Sequence, residues 1–205
     1  MASTLKRALH WGEAFSETAV MRWLVQLLLG LHHIHGKSSL HRDIKPANVF
    51  LSKSKKVVRL GDFGIAKALR EGDDFAQTVV GTPLYMSPEL CQGKPYTYAS
   101  DVWALGCVAY EMATAGGKAF DAPALPSLLV KIIKCDYAPV PSRFSRPFAA
   151  LVASMLSPDP TDRPTTTQLL NTPLVRRHCE ALLRDAKDAS GRAEADNEPV
   201  SPTTP

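Results

Sequence analysis

No two cysteines in this chain are spaced as a CxxC pair; Cys91, Cys107, Cys135 and Cys179 stand singly and far apart. That excludes a zinc ribbon or a disulfide framework and suits reduced thiols inside a cell. No run is apolar enough to span a bilayer. The two longest, 23–31 and 102–115, are short and carry Gln26 and Glu111. The first eleven residues lack the apolar core of a signal peptide. Charge of one sign is scarce as well. A formal net charge of +4 is too small to argue for a nucleic-acid partner. Strand patterns are too few for a substantial sheet, no internal repeat is visible, and no G-x-G-x-x-G occurs. What remains is a soluble, intracellular chain of 205 residues, long enough for one good core and a tail.

The positive signals are mostly helical. Ser16-Glu17 reads as a helix start, and Val20, Trp23, Leu24, Leu27, Leu28 and Leu31 then recur on one face. That helix is expected to close at His35-Gly36. His32, His33 and His35 read as cations near its negative pole rather than as metal ligands. Two short β-like runs, 48–51 and 57–60, flank the lysine-rich 52–56 and predict a small hairpin. Residues 65–99 hold no long periodic segment, which in a compact domain points to a functional loop.

Ser100-Asp101 is expected to cap a helix over 102–114 that is apolar on every side, hence buried at the centre. Gly116-Gly117 then ends it. Three weaker helices are expected over 125–134, 148–156 and 166–170, the last with a Thr165/Gln168 capping box. From Asp185 onward large apolar residues all but vanish, so 1–184 is read as the folded unit and 185–205 as an acidic, disordered tail. The fold class is mainly α with a small β-hairpin.

One stretch concentrates the chemistry. Leu40-His41-Arg42-Asp43-Ile44-Lys45-Pro46-Ala47-Asn48-Val49-Phe50-Leu51 sets a possible base, two cations and a possible metal ligand between apolar residues. Asp62-Phe63-Gly64 follows the second β-like run, so a hairpin brings Asn48 and Asp62 together. Further on come Gly81-Thr82-Pro83, Ser87-Pro88-Glu89, Asp101 at the head of the buried helix, and Arg163.

These motifs, in this order, resemble the large C-terminal lobe of a eukaryotic serine/threonine protein kinase across residues 5–175. The sequences at 60–67, 75–78, 80–89 and 118–122 are most similar to the NIMA-related (Nek) group. The resemblance implies ATP and magnesium as cofactors and Ser/Thr-bearing proteins as substrates, with no membrane or nucleic-acid partner. It implies that Asp43 orients the acceptor hydroxyl and takes its proton, and that Lys45 neutralises the moving phosphoryl group. Asn48 and Asp62 would hold magnesium, and Thr82 would bond the Asp43/Lys45 pair. Phe50 would form the floor beneath adenine. Glu89 and Arg163 would form a buried ion pair, and the Asp101 carboxylate would accept N–H bonds from the catalytic loop (40–51).

The same resemblance leaves the small β-rich N-terminal lobe absent from this chain, as if truncated. The nucleotide would then have a floor and no roof, and the lobe face that normally meets the small lobe would be open to a partner. An impaired lobe-only module that binds kinase partners or substrates is the alternative to an enzyme. A cytoplasmic location, with cytoskeletal or centrosomal association, belongs to the group resemblance.

Residues 62–89 would be the activation segment, with Arg42 as the cation that meets a phosphate on it. Thr78 is the residue expected to carry that phosphate. Mass spectrometry of active protein should find Thr78 phosphorylated; an unmodified Thr78 in fully active material would exclude this role.

Overall fold

The computed structural model describes residues 3–10, 12, 14–61 and 83–195. Asp62, Thr78 and Thr82 lie outside the described residues. Helices dominate, as expected, beside one small antiparallel sheet.

The long amphipathic segment forms α2, Glu17–Gly36, with the Ser16 hydroxyl accepting the Ala19 N–H at 3.3 Å. Every residue of the expected stripe is buried, and Met21, Val25 and Ile34 join it. A buried leucine contributes about 1.5–3 kcal/mol, so the four in this stripe outweigh any capping effect. The close differs in one detail. Gly36 ends the helix, but Ser38 takes the left-handed conformation (φ 54°), its N–H bonding the His35 carbonyl.

The hairpin is present as β2, Val49–Leu51, and β3, Val58–Leu60, with Val49 opposite Leu60. An unpredicted two-residue strand, β1 (Ser3–Thr4), pairs with the other edge of β2 and leads into a short helix, α1 (Leu5–His10). The turn between β2 and β3 is held by α2. Trp23 Nε1 donates to the Lys55 carbonyl at 2.7 Å, and the Gln26 amide bonds Lys56 O and Val58 N at 3.1 Å each. The polar residue inside the apolar run is therefore a bracket for the hairpin.

A four-residue helix, α3 (Pro88–Cys91), interrupts the stretch expected to be irregular. The central helix α4 runs from Tyr98 to Ala113, beginning four residues earlier than expected. Thr97 is its cap residue and donates its N–H to Ser100 Oγ (3.1 Å), so Ser100 and Asp101 lie inside the first turn rather than before it. All residues from Ser100 to Ala113 are buried. Gly106 has no room for a side chain, because a Cβ there would meet Met155 Cβ at 2.9 Å. The contacting helix, α6 (Arg146–Met155), starts two residues earlier than expected, capped by Ser145, which Glu17 Oε1 holds through its hydroxyl at 2.7 Å.

The remaining helices are α5 (Leu125–Lys134), α7 (Thr166–Leu170) and α8 (Pro173–Ala195). The first two have the expected bounds, and Thr165 and Gln168 form the expected capping box. The tail departs from expectation. Helix α8 continues past Asp185 to Ala195, where disorder was expected, with Arg22 and Asp185 paired across to α2. Low apolar content rules out a core but not a helix. Alanine, lysine, arginine and glutamate all favour helix, so the composition of 186–195 suits one. Residues 196–205 are outside the described set.

The lower half of the lobe is pinned by one buried ion pair. Arg163 donates to both Glu89 oxygens, at 2.8 and 2.5 Å, and its remaining N–H groups bond the carbonyls of Ser157, Ala99 and Pro158. Its guanidinium also lies 5.0 Å from the Trp103 ring, which stacks on Phe120. Replacing Arg163 by methionine should cost about 3–5 kcal/mol in denaturant unfolding, because Glu89 is left charged and buried. Adding Glu89→Leu should restore part of that loss. A cost below about 1 kcal/mol, the worth of an exposed pair, would contradict this account.

Candidate active site

The segment that carries the candidate residues, 41–48, has almost no regular structure of its own. Only Pro46–Asn48 forms a single 3-10 turn. Its shape is imposed from beneath. The Asp101 carboxylate, fully buried, accepts the backbone N–H of His41 through Oδ2 and that of Arg42 through Oδ1, both at 3.0 Å. Arg42 sits in the left-handed region (φ 68°), a conformation that costs a non-glycine residue about 1–2 kcal/mol. Two charge-assisted bonds to one carboxylate offset that cost.

Asp101 has two more donors, His35 Nε2 at 2.9 Å and the Tyr96 hydroxyl at 2.5 Å. Four donors match the roughly four lone-pair positions of a carboxylate. Burial alone would push the Asp101 carboxyl upward. The bonds from His35, Tyr96 and the two N–H groups outweigh it and hold the carboxyl below its ordinary value. Tyr96 is driven the other way, first by burial and then by the Asp101 charge, so it remains a hydroxyl donor.

His41 is buried and connects the two halves of the site. Its Nδ1 accepts the Asp43 N–H at 3.3 Å, which leaves Nε2 protonated to donate to the Gly61 carbonyl at 3.2 Å. Gly61 N–H in turn donates to the Asn48 carbonyl at 2.9 Å, extending the hairpin by one pair. The residue just before Asp62 is therefore fixed to the residue just before β2.

On the outer side stand the groups expected to do chemistry. Lys45 Nζ lies 2.8 Å from Asp43 Oδ2, and Asn48 Nδ2 donates to that same oxygen at 2.8 Å and to the Asp43 carbonyl at 2.9 Å. The side chains of Asp43 and Lys45 are 47% and 38% exposed. At that exposure an ion pair adds little to stability, so the pair is a placement of charge rather than a brace. Both Asn48 bonds use Nδ2, which leaves its carbonyl oxygen, a hard ligand, for a cation. That donor fits magnesium. Asp62, the second expected ligand, and Thr82 lie outside the described residues, as does the expected phosphosite Thr78.

Phe50 points away from the core that holds Val49 and Leu51, since neighbouring strand residues face opposite ways. Its ring lies over Gly61, where a Cβ would sit 2.5 Å from Cε2. Any larger residue at 61 would displace the ring. The Glu89 carboxyl, like Asp101, is raised by burial and drawn down more strongly by its bonds to Arg163 and Ser100, ending below its ordinary value.

The structure thus gathers Asp43, Lys45 and Asn48 into one cluster, with Phe50 a strand position away and Arg42 anchored through its backbone. Sequence reasoning missed His35 and Tyr96. A histidine 66 positions before its partner leaves no local signal, and a helix-end cation was the simpler reading of it.

Residues 1–175 match the protein kinase domain family. The chain is 44% identical over 164 residues to serine/threonine-protein kinase Nek5 of Homo sapiens, covering 80% of this chain and 23% of that protein. It is 41% identical to serine/threonine-protein kinase Nek4 of Mus musculus over 186 residues, 91% of this chain and 23% of that protein. With serine/threonine-protein kinase Nek8 of Danio rerio it shares 47% identity over 154 residues, 75% and 22% of the two lengths. The chain therefore spans less than a quarter of each of these curated relatives.

The lowered carboxyls at Asp101 and Glu89 set the sign of the pH dependence. Their contribution is complete above the ordinary carboxylate range and is lost as pH falls through their lower folded values. The urea midpoint should thus hold from pH 7 to about 5 and fall at about pH 4 and below. Asp101→Asn should lower the plateau, by roughly 3 kcal/mol, and make the acid limb shallower. Acid limbs of equal steepness in the two proteins would show that Asp101 is not the group responsible.

Proposed function

The chain belongs to the protein kinase family, in its NIMA-related serine/threonine group, and on that premise we propose that it transfers the γ-phosphoryl group of ATP to protein serine and threonine hydroxyls. The observation that carries the reading is the contact of Lys45 and Asn48 with one oxygen of Asp43, at 2.8 Å each. Phosphoryl transfer asks the protein mainly for positioning and charge stabilisation, and this cluster is made for both.

In this reading Asp43 Oδ1, the oxygen not engaged by Lys45 and Asn48, orients the acceptor hydroxyl and takes its proton. Lys45 places a positive charge beside the path of the transferred group. Asn48 offers its carbonyl oxygen to a magnesium ion, with Asp62 proposed as the partner ligand. A magnesium ion held there would supply electrostatic stabilisation of the negative charge on the phosphates. Phe50 presents its ring to the adenine base, and Thr82 is proposed to bond the Asp43/Lys45 pair. Arg42, with its backbone clamped by Asp101, is proposed to meet a phosphate on Thr78. Cytoplasmic action, with cytoskeletal or centrosomal association, is part of the same proposal. No described helix is long and apolar enough to cross a membrane.

Purified chain should transfer phosphate from ATP to a general serine/threonine substrate, and Asp43→Ala should lower the rate about 10²–10⁴-fold. Nucleotide binding should change little in that variant. Equal rates for the two proteins would exclude transfer by this site.

A further inference from the structure

A groove of about 450 Å³ opens between α1 and the connection that follows α4. Its polar lining is Thr4, Lys6, Arg7 and His10 on one side, and Glu111 and Lys118 on the other. Three permanent cations thus surround one carboxylate, and that carboxylate is already committed. Glu111 is buried, pairs with Lys118 and accepts the Tyr85 hydroxyl at 2.7 Å. Burial, then the neighbouring Glu111 charge, raises the Tyr85 hydroxyl, so it stays a donor. Lys118 Nζ also reaches the Tyr85 oxygen at 3.3 Å. Lys6 and Arg7 are exposed, and among the described residues neither has an ion-pair partner.

Placement ties this groove to the catalytic cluster. Helix α1 packs against the 3-10 turn that ends at Asn48 and against β2. The opposite wall is linked through Tyr85 to residues 83–87, which lie near the end of the expected activation segment. The elements that carry the candidate cluster therefore also support the wall that carries Lys6 and Arg7.

We propose that the groove selects substrates by receiving an anionic side chain, a carboxylate or a phosphorylated residue, near the acceptor hydroxyl. The proposal rests on the kinase reading for its substrate, but not for its binding chemistry. The Glu111 carboxylate cannot serve as a docking point for a substrate arginine, because Lys118 already neutralises it. Lys6 and Arg7 supply the unsatisfied positive charge, which favours partners of opposite sign and raises their association rate.

The test needs no turnover. Three fluorescent serine peptides of equal length, flanked by aspartate and glutamate, by phosphoserine, or by arginine, are titrated with the purified chain. Both anionic peptides should bind about tenfold or more tightly than the arginine peptide. That preference should shrink as salt is added. Tighter binding of the phosphopeptide than of the carboxylate peptide would identify phosphate as the favoured source, and equal binding would show that a carboxylate suffices. Lys6→Glu combined with Arg7→Glu, both at exposed positions, should reverse the order; Asp43→Ala should leave it unchanged. An arginine peptide that binds as well as the anionic ones, or a charge-reversed variant that keeps the original order, overturns the proposal. A chain that ranks the peptides as expected yet transfers no phosphate counts against the kinase reading and leaves the groove assignment intact.

Discussion

A carboxylate with no exposure to water, Asp101, accepts four hydrogen bonds, and the geometry of the candidate site depends on them. An isolated ion in that position would be too costly to bury, and it would protonate instead. Here the donors are two consecutive backbone N–H groups, a histidine from the end of α2 and a tyrosine just before α4. The arrangement fixes a chain segment that has no helix or strand to hold it. Because the N–H groups of His41 and Arg42 are both taken from below, Asp43 is presented outward, and the left-handed turn at Arg42 is held in place.

Helix α4 repeats this device along its length. It is buried from Ser100 to Ala113, yet three polar residues on it bond in different directions. Ser100 bonds Glu89 at 2.7 Å and so joins the ion pair with Arg163. Asp101 holds the segment that carries the candidate site. Glu111, near the other end, meets Tyr85 and Lys118 beside the basic groove. A buried polar group needs a partner, and these find theirs on the short helix α3, on the 41–42 segment and on the loops that carry Tyr85 and Lys118. The rigid rod thereby positions several separate segments at once.

The legible parts of the sequence were those with strong periodicity or known local chemistry. The stripe on α2, the hairpin, α5 and α7 are all encoded over short windows. The Asp43-Lys45-Asn48 spacing of two and three residues is likewise local, and one 3-10 turn brings the three together. Short elements were less visible. Strand β1, α1 and α3 have two, six and four residues, too few for a period to show, and each packs on partners distant in sequence. Helix α4 starts early, at Tyr98, because Thr97 caps it and Ser100 serves both that cap and Glu89. In α8, low hydrophobicity was taken for disorder, although helix propensity and the Arg22–Asp185 pair run against it.

Sequence alone determined the family, the mainly helical class and the candidate residues for the chemistry, because side-chain type and close spacing are local properties. Tertiary structure decided which of them share an atom, and which distant groups support them. Asp43 Oδ2 is shared by Lys45 and Asn48 only after the 3-10 turn closes. His35 reaches Asp101 only after α2 and α4 pack. The worth of a carboxylate is set by what surrounds it. The same functional group is an open charge at Asp43, a clamp at Asp101, and a neutralised wall at Glu111.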